Sequence, residues 1–226
     1  MTVEYSYLFK CVILGDYKVG KTTLIERVNE LQKQRALEAN KKNIDKKIDE
    51  YYNLREKTQR RSKKRSIDKK IEKLKKHKNV SERSMSIDNS TRTITGVDFC
   101  INTVKFREDY AILQIWVLGN QERFQSLRHM YVSNSVGAII IYDITNSNSV
   151  NKIEEWGHLI RELNGNIPIL LVGNKVDLED IRKIPKEQGI TIKDELQLSA
   201  FMEISMKTGE NFDTMFERFS QLISES

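Results

Sequence analysis

The residues best suited to bind phosphate lie close together near the start of the chain. Gly15, Gly20, Lys21 and Thr22 match the pattern GxxxxGK[ST] between a strand-like and a helix-like segment. Backbone N–H groups of such a loop, and the positive end of the following helix, bind phosphate oxygens. Lys21 would add a point charge on the outer phosphates, and the Thr22 hydroxyl would bind Mg²⁺. The alternative is a strand-to-helix turn without a ligand. The predicted ligand contacts are Gly15, Tyr17, Lys18, Val19, Gly20, Lys21, Thr22 and Thr23.

A second group of polar residues could recognise a purine base. Asn174, Lys175 and Asp177 directly follow the apolar segment Ile169–Val172, at the strand end where open α/β sheets bind ligands. Asp177 can accept hydrogen bonds from the ring N–H and the exocyclic amine of guanine. Adenine would leave this carboxylate unpaired, which predicts roughly 10⁴-fold discrimination. We expect Asn174 to tie this pocket to the phosphate loop and the Lys175 stem to pack along the base.

The elements that must position these residues alternate between strands and helices. Short apolar runs predict strands at Tyr7–Leu14, Ala111–Val117, Val136–Tyr142 and Ile167–Val172. Helical patterns at Val150–Leu163 and Gly209–Ile223 indicate right-handed βαβ crossovers and a mostly parallel sheet covered on both faces. The segments Phe99–Phe106 and Tyr110–Val117 predict an antiparallel hairpin at one edge.

A long segment without glycine or proline separates the phosphate loop from the rest of the predicted sheet. No glycine or proline occurs between Gly20 and Gly96, so long helices are expected there. Apolar residues at helical spacing flank the polar stretch Thr58–Ser66 and predict a helical hairpin, the alternative being a partly disordered or solvated single helix. These apolar residues are Ile44, Ile48, Tyr51, Ile67, Ile71 and Leu74.

The charge of the chain is concentrated in this segment. Residues 31–84 hold 20 Lys+Arg and 8 Asp+Glu, leaving 18 and 24 for the remainder, so the segment carries +12 and the remainder −6. Three roles are open for this basic helical insertion. It could be a solvated face with no partner, a surface for anionic membrane lipids or nucleic acid, or a contact for a protein partner.

Taken together, the two motifs and several further segments resemble the Ras superfamily of small GTPases, within it the Rab-like branch. The further segments are Gly96–Phe99, Leu113–Trp116, Gln121–Phe124, Gly137–Thr145 and Glu203–Lys207. The resemblance implies a P-loop NTPase fold of the α/β class with a six-stranded sheet, to which the inserted helical hairpin is added. It also implies a switch that binds GTP or GDP with Mg²⁺ and acts on protein effectors through two loops.

The resemblance assigns roles to residues outside the two motifs. Gln121 would orient the attacking water, and Thr93, with Thr95 as the alternative, would bind Mg²⁺ and the γ-phosphate. Arg123 would be structural rather than catalytic. Asn120 would offer a backbone N–H to the γ-phosphate. A second guanine-contacting loop would contain Ser205, Met206 and Lys207.

The chain departs from the family pattern where GTP hydrolysis is expected. Val117 stands at the position of a metal-holding aspartate, and Asn120 at that of a switch glycine. Valine cannot hold a water on Mg²⁺, and Tyr17 and Lys18 would crowd the space over the γ-phosphate. We therefore expect slow hydrolysis. A scaffold that binds nucleotide without useful turnover, or more distantly an ATP-using phosphoryl-transfer enzyme, is the alternative.

Length and composition set the remaining expectations. The 226 residues favour a single domain spanning 1–226, with the insertion at 31–84. Cys11 and Cys100 lie in apolar segments and are expected to be buried free thiols. Neither a signal peptide nor a myristoylation glycine is recognised, and the last six residues hold no prenylation cysteine. We expect a cytoplasmic monomer, or one peripherally attached to membranes.

Overall fold

The computed structural model describes residues 5–81, 97–106, 109–119 and 125–226. These residues form six strands and six helices in alternating order, with two 3₁₀ turns at Ser147–Val150 and Val176–Ile181. The strands are β1 Tyr5–Gly15, β2 Val97–Phe106, β3 Asp109–Leu118, β4 Gly137–Asp143, β5 Ile169–Asn174 and β6 Ala200–Ile204. The helices are α1 Lys21–Lys57, α2 Arg61–Ser81, α3 Gln125–Val132, α4 Ile153–Asn164, α5 Lys186–Glu195 and α6 Phe212–Glu225.

The strands form one sheet in the order β2-β3-β1-β4-β5-β6. Only the β2/β3 pair is antiparallel, and it forms the predicted hairpin at the sheet edge. Because the other neighbouring pairs are parallel, the carboxyl ends of β1, β4 and β5 meet at one edge of the sheet. The chain segments that follow these three strands therefore lie near one another, as ligand-binding segments do in doubly wound sheets.

Helices cover both faces of this sheet. On one face, alternate residues of β1 and β4 such as Val12 and Ile140 pack with Trp156 of α4 in a buried cluster. The other face meets α6, because a Cβ built on Gly137 would lie 2.8 Å from the ring of Phe219. The strands β4 and β5 are buried throughout, as expected for central strands of a sheet covered on both sides. The α/β fold class predicted from the sequence is confirmed.

The chain divides into two compact units, Met1–Asn29 with Thr93–Ser226, and Glu30–Arg92. The second unit has a small apolar cluster of its own, which joins α1 to α2. This cluster is formed by Ile44, Ile48, Ile67 and Ile71, with Tyr51 and Leu74 packed against it. Ion pairs between the two helices flank the cluster, one linking Arg55 to Asp68 and one linking Lys78 to Asp45, each at 2.6 Å.

Some elements differ from the sequence-based expectations. The polar stretch Thr58–Ser66 was expected to join the two inserted helices, but α2 already begins at Arg61. Charged residues have good helix propensity, so the absence of an apolar stripe did not mark a break. Cys11 and Cys100 are buried free thiols, as predicted. None of the helices in the described residues is long and apolar enough to cross a membrane.

Candidate functional site

The segment between β1 and α1 forms a tight loop whose glycines are required by close backbone contacts. A Cβ on Gly15 would lie 2.7 Å from the Ile141 carbonyl oxygen, and one on Gly20 would lie 2.3 Å from Nδ2 of Asn174. Gly20 also has φ +110, a conformation that favours glycine. Lys18 adopts the left-handed region at φ 62, and Tyr17 is 71% exposed. The side chains of Tyr17 and Lys18 are both exposed to solvent.

Lys21 lies at the first position of α1 and points back into this loop. Its ammonium donates hydrogen bonds to the carbonyl oxygens of Gly15 at 2.7 Å and Asp16 at 2.6 Å. Burial lowers the pKa of Lys21 to about 8, while the charges of Asp16 and Asp98 act in the opposite direction. The ammonium is thus a desolvated cation at a helix N-terminus, which is a suitable partner for a phosphate group.

The side chain of Asn174 joins three segments of the site. From the end of β5, its Nδ2 donates to the Val19 carbonyl of the phosphate loop at 2.7 Å. Its Oδ1 accepts from the backbone N–H of Met206 at 3.0 Å. Asn174 is only 2% exposed, so these bonds are shielded from water. A single amide therefore holds the phosphate loop and the loop after β6 at fixed positions relative to β5.

Asp177 lies at the mouth of this arrangement, in the 3₁₀ turn after β5. Oγ of Ser205 donates to Oδ1 of Asp177 at 2.6 Å and also accepts from the backbone N–H of Thr208 at 3.0 Å. Because this bond uses one carboxylate oxygen, the Asp177 carboxylate is oriented before any ligand binds. A carboxylate can accept further hydrogen bonds through its remaining lone pairs.

Lys175 adopts a left-handed backbone conformation with φ 77, which turns the chain from β5 into the 3₁₀ turn. Its ammonium lies 2.5 Å from Oδ2 of Asp143 at the end of β4. The other oxygen of Asp143 accepts from the N–H and hydroxyl of Thr145 at 2.9 and 2.8 Å. The ion pair is therefore part of a satisfied network, and it holds the Lys175 ammonium at the end of β4.

Arg27 supports the loop after β6 from the second turn of α1. Its guanidinium lies 3.4 Å from the carbonyl oxygens of Lys207 and Thr208 and 5.4 Å from the centre of the Phe212 ring. A Cβ on Gly209, which has φ +91, would lie 1.8 Å from Nη2 of Arg27. The loop can therefore reach the guanidinium only with glycine at this position.

One of the expected side-chain ligands for Mg²⁺ is missing, as the sequence indicated. Val117 is 2% exposed at the end of β3 and offers no ligand atom. Thr22 is exposed at the start of α1 and can offer its hydroxyl. Among the residues that the structure describes, no cluster of three His, Cys, Asp or Glu side chains could hold a metal ion alone. A metal would therefore need phosphate oxygens and water as further ligands.

Most of the predicted contacts with phosphate and base fall within the described residues, and the structure brings both loops and the Asn174 segment together at the strand ends. Four residues to which the resemblance gave roles in hydrolysis, Thr93, Thr95, Asn120 and Gln121, lie outside the described residues, as does Arg123. Sequence reasoning did not assign a role to Arg27, Asp98 or Asp143. Asp98 and Asp143 stood in the family-like segments, whereas Arg27 had no recognisable signal.

Comparison with known proteins gives two findings. The model of the Ras family matches residues 83–225. Ras-related protein SEC4 of Candida albicans, and the same protein of its strain WO-1, are each 36% identical to this chain over 134 residues. That alignment covers 59% of this chain and 63% of the relative, so the chain spans less than two thirds of the length of the relatives it matches. The phosphate loop at residues 15–22 lies outside the residues that the family model matches.

Proposed function

Because the chain belongs to the Ras family, with similarity to its Rab-like branch, we propose that it is a guanine-nucleotide switch that binds GTP or GDP with Mg²⁺. The observation that supports this proposal is the Asn174 bridge, which links Val19, in the proposed phosphate subsite, to Met206, in the proposed base subsite. A mononucleotide needs two such subsites held at a fixed distance. A loop that only reverses the chain needs no link of this kind.

Guanine specificity follows from the Asp177 carboxylate. One of its oxygens is already held by Ser205, so the carboxylate faces the base in one orientation. Guanine would donate its ring N–H and amine to it, whereas adenine has no donors in that arrangement. The unpaired carboxylate would then disfavour adenine by roughly 10⁴-fold. The loop amides and Lys21 would bind the phosphates, and Lys175 would lie along the base.

We propose that hydrolysis of GTP is slow. Catalysis of phosphoryl transfer depends mostly on positioning and electrostatic stabilisation. Gln121 can orient water and Thr93, with Thr95 as the alternative, can contact Mg²⁺ and the γ-phosphate, but Val117 lacks the carboxylate and Asn120 lacks the backbone freedom of glycine. A scaffold that binds nucleotide and signals without turnover is the second candidate, favoured by the buried Val117 side chain.

Four measurements test these proposals. Mass analysis of small molecules released from the denatured purified protein should find GDP or GTP, and titration should show that ATP binds far more weakly. A folded protein that holds neither guanine nucleotide in excess Mg²⁺ would contradict the proposal.

Single-turnover hydrolysis then separates the two candidate functions. Measurable turnover supports the slow GTPase, and the absence of turnover supports the scaffold. Val117→Asp should increase the dependence of GDP retention on Mg²⁺.

Protein effectors are proposed to contact a row of three aromatic side chains, Phe99 of β2, Trp116 of β3 and Tyr131 of α3. The ring of Trp116 lies 4.9 Å from that of Phe99 and 5.1 Å from that of Tyr131, measured between centroids. Phe99 is 44% exposed, and the other two are half-buried. Exposed aromatic side chains are typical of protein interfaces, because they lose little conformational entropy when a partner buries them. Phe99→Ala should weaken capture of a GTP-dependent partner without changing GDP affinity.

The basic insertion is proposed to bind an anionic surface, through the exposed side of α2. The charged side chains nearest α1 are used in ion pairs within the unit, whereas Arg65, Lys69 and Lys73 are exposed. Vesicles with acidic lipids and duplex nucleic acid are the two probes. Binding to one of them should fall as salt increases and in the triple alanine variant, and binding that is insensitive to salt would contradict an electrostatic contact.

A further inference from the structure

The strand that pairs with β3 carries a carboxylate directly opposite Val117. In the antiparallel β2/β3 pair, the residue directly opposite Val117 is Asp98. Side chains of directly opposed residues lie on the same face of a sheet, with Cβ atoms about 5 Å apart. The β3 position to which the family resemblance assigns a metal-holding carboxylate therefore has a carboxylate directly opposite it on β2.

The burial pattern of β2 places Asp98 on the inward face of the strand. Cys100, Asn102, Val104 and Phe106 are buried, and side chains of a strand alternate between its faces. Asp98 is the next member of that series toward the phosphate loop, and it is half-buried. Phe99 and Ile101, which belong to the opposite series, are exposed.

Asp98 is also close enough to the phosphate loop to interact with its lysine. Burial raises the pKa of the Asp98 carboxyl group, and the charge of Lys21 lowers it. The reciprocal effect is found at Lys21, where the charge of Asp98 favours the ammonium. Thr22, whose hydroxyl is the other candidate ligand for the metal, directly follows Lys21 in the chain.

We propose that the Asp98 carboxylate of β2 acts on nucleotide-bound Mg²⁺, in place of the carboxylate that Val117 of β3 lacks. The proposal rests on the guanine-nucleotide function proposed above. Mg²⁺ in nucleotide sites usually keeps several waters and takes one or two protein oxygens besides the phosphates. Asp98 would act on the ion directly or through one of these waters, together with the Thr22 hydroxyl.

A purely structural role for Asp98 makes a different prediction. If Asp98 only paired with Lys21, removing its charge would free the ammonium for phosphate. Nucleotide affinity would then change by the same factor with and without Mg²⁺. A carboxylate that acts on the metal changes affinity only when Mg²⁺ is present, so Mg²⁺ dependence distinguishes the two roles.

The experiment measures the dissociation rate of a fluorescent GDP analogue across a Mg²⁺ titration and in excess EDTA. Asp98→Asn should raise the Mg²⁺ concentration at the midpoint by about tenfold, in the range seen when groups that orient a metal are removed, and leave the rate in EDTA unchanged. Val117→Asp should lower the midpoint. In the Val117→Asp background, Asp98→Asn should have little further effect, because the restored carboxylate takes over the same role.

Two control variants complete the design. Asp49→Asn removes one charge from an exposed position of the inserted unit and should leave the midpoint unchanged. Asp98→Glu keeps the charge but moves it by one methylene group, and should shift the midpoint less than Asp98→Asn does. Equal midpoints for wild type and both Asp98 variants would overturn the proposal, as would an equal effect of Asp98→Asn in EDTA. Wild-type protein that retains no GDP in any buffer would instead refute the proposed function.

Discussion

In the proposed base pocket, the carboxylate of Asp177 is the group that we expect to select the base. In the Asp177→Asn variant, one acceptor becomes an N–H donor, which would face the N–H and amine of guanine. GDP affinity should fall at least about 100-fold, since a charge-assisted pair of hydrogen bonds is lost. Xanthosine diphosphate should gain affinity, because its C2 carbonyl can accept from the new amide. Competition binding with both diphosphates measures this change.

The neighbouring carboxylate of Asp180 provides the matched control for this exchange. It is exposed and lies in the same 3₁₀ turn, so Asp180→Asn removes the same charge without changing the base pocket. Its preference for GDP over xanthosine diphosphate should remain that of the wild type. If Asp177→Asn keeps wild-type GDP affinity, the guanine-recognition role of this carboxylate is wrong.

The titration of Lys21 predicts opposite effects of pH on ligand binding and on stability. Burial lowers the pKa of Lys21 from 10.5 to about 8 in the ligand-free protein. Between these values the unfolded chain binds more protons than the folded chain, so the free energy of unfolding should rise with pH. In the proposed function the phosphates of GDP bind the charged ammonium, so GDP affinity should fall by up to about tenfold per pH unit in the same window.

Calorimetric titration with GDP and denaturant unfolding of the nucleotide-free protein, both repeated across this pH window, measure these two trends. Lys21→Met, which cannot titrate, should remove both of them. A GDP affinity that stays constant through the window would show that the lysine remains charged without the ligand. The pH effect is then absent even if the lysine contacts phosphate.

At the level of single residues, the sequence indicated the groups whose types the proposed chemistry requires. The phosphate loop and the Asn174–Asp177 motif were recognisable because close approach of backbone to phosphate and recognition of a base leave few alternatives. Arg27 was not, because its role depends on carbonyl groups of Lys207 and Thr208, about 180 positions away. Such a contact has no local pattern. Asp98 likewise gains its significance only from its register with Val117.

At the level of elements, α1 supports the loop after β6 through Arg27. Arg27→Ala should leave the carbonyl oxygens of Lys207 and Thr208 without their guanidinium partner and remove the contact with Phe212. GDP release should accelerate by about threefold to tenfold, equivalent to about 1 kcal/mol for the lost hydrogen bonds. Stopped-flow release of labelled GDP measures this, with Glu26→Ala at the adjacent exposed position as control. Unchanged release would show that Asn174 alone positions the loop.

The elements that were predicted have a clear apolar pattern in the sequence, and the elements that were missed do not. Strands β1, β3, β4 and β5 are nearly continuous apolar runs, and the prediction placed each within about two residues of its observed bounds. The helix α5 contains Gly189 in its middle, and β6 is an edge strand of five residues, mostly half-buried. Neither gives a clear period. Gly189 is nevertheless required, since a Cβ there would lie 2.5 Å from Phe201 and Tyr142.

At the level of the whole molecule, charge and packing both divide the chain into a body and an insertion. The insertion carries +12 and the remainder −6, and each unit has an apolar cluster of its own. The cluster of the insertion contains four isoleucines, which is a small core for two helices of this length. The sequence predicted this hairpin because the absence of glycine and proline, together with two apolar stripes, left helices as the consistent interpretation.

These separate clusters predict that the two units respond separately to perturbation. Ile71→Ala should destabilise the inserted unit by about 2 kcal/mol, at the low end for a buried isoleucine. Both tryptophans, Trp116 and Trp156, belong to the body, so tryptophan fluorescence reports its unfolding alone, whereas far-ultraviolet circular dichroism also reports the inserted helices. Ile71→Ala should lower the first dichroism transition and leave the fluorescence midpoint unchanged. Saturating GDP should raise the fluorescence midpoint, by mass action, and leave the first dichroism transition unchanged. Lys69→Ala, at an exposed position of the same helix, should change neither. A fluorescence midpoint that falls in Ile71→Ala would show that the units unfold together.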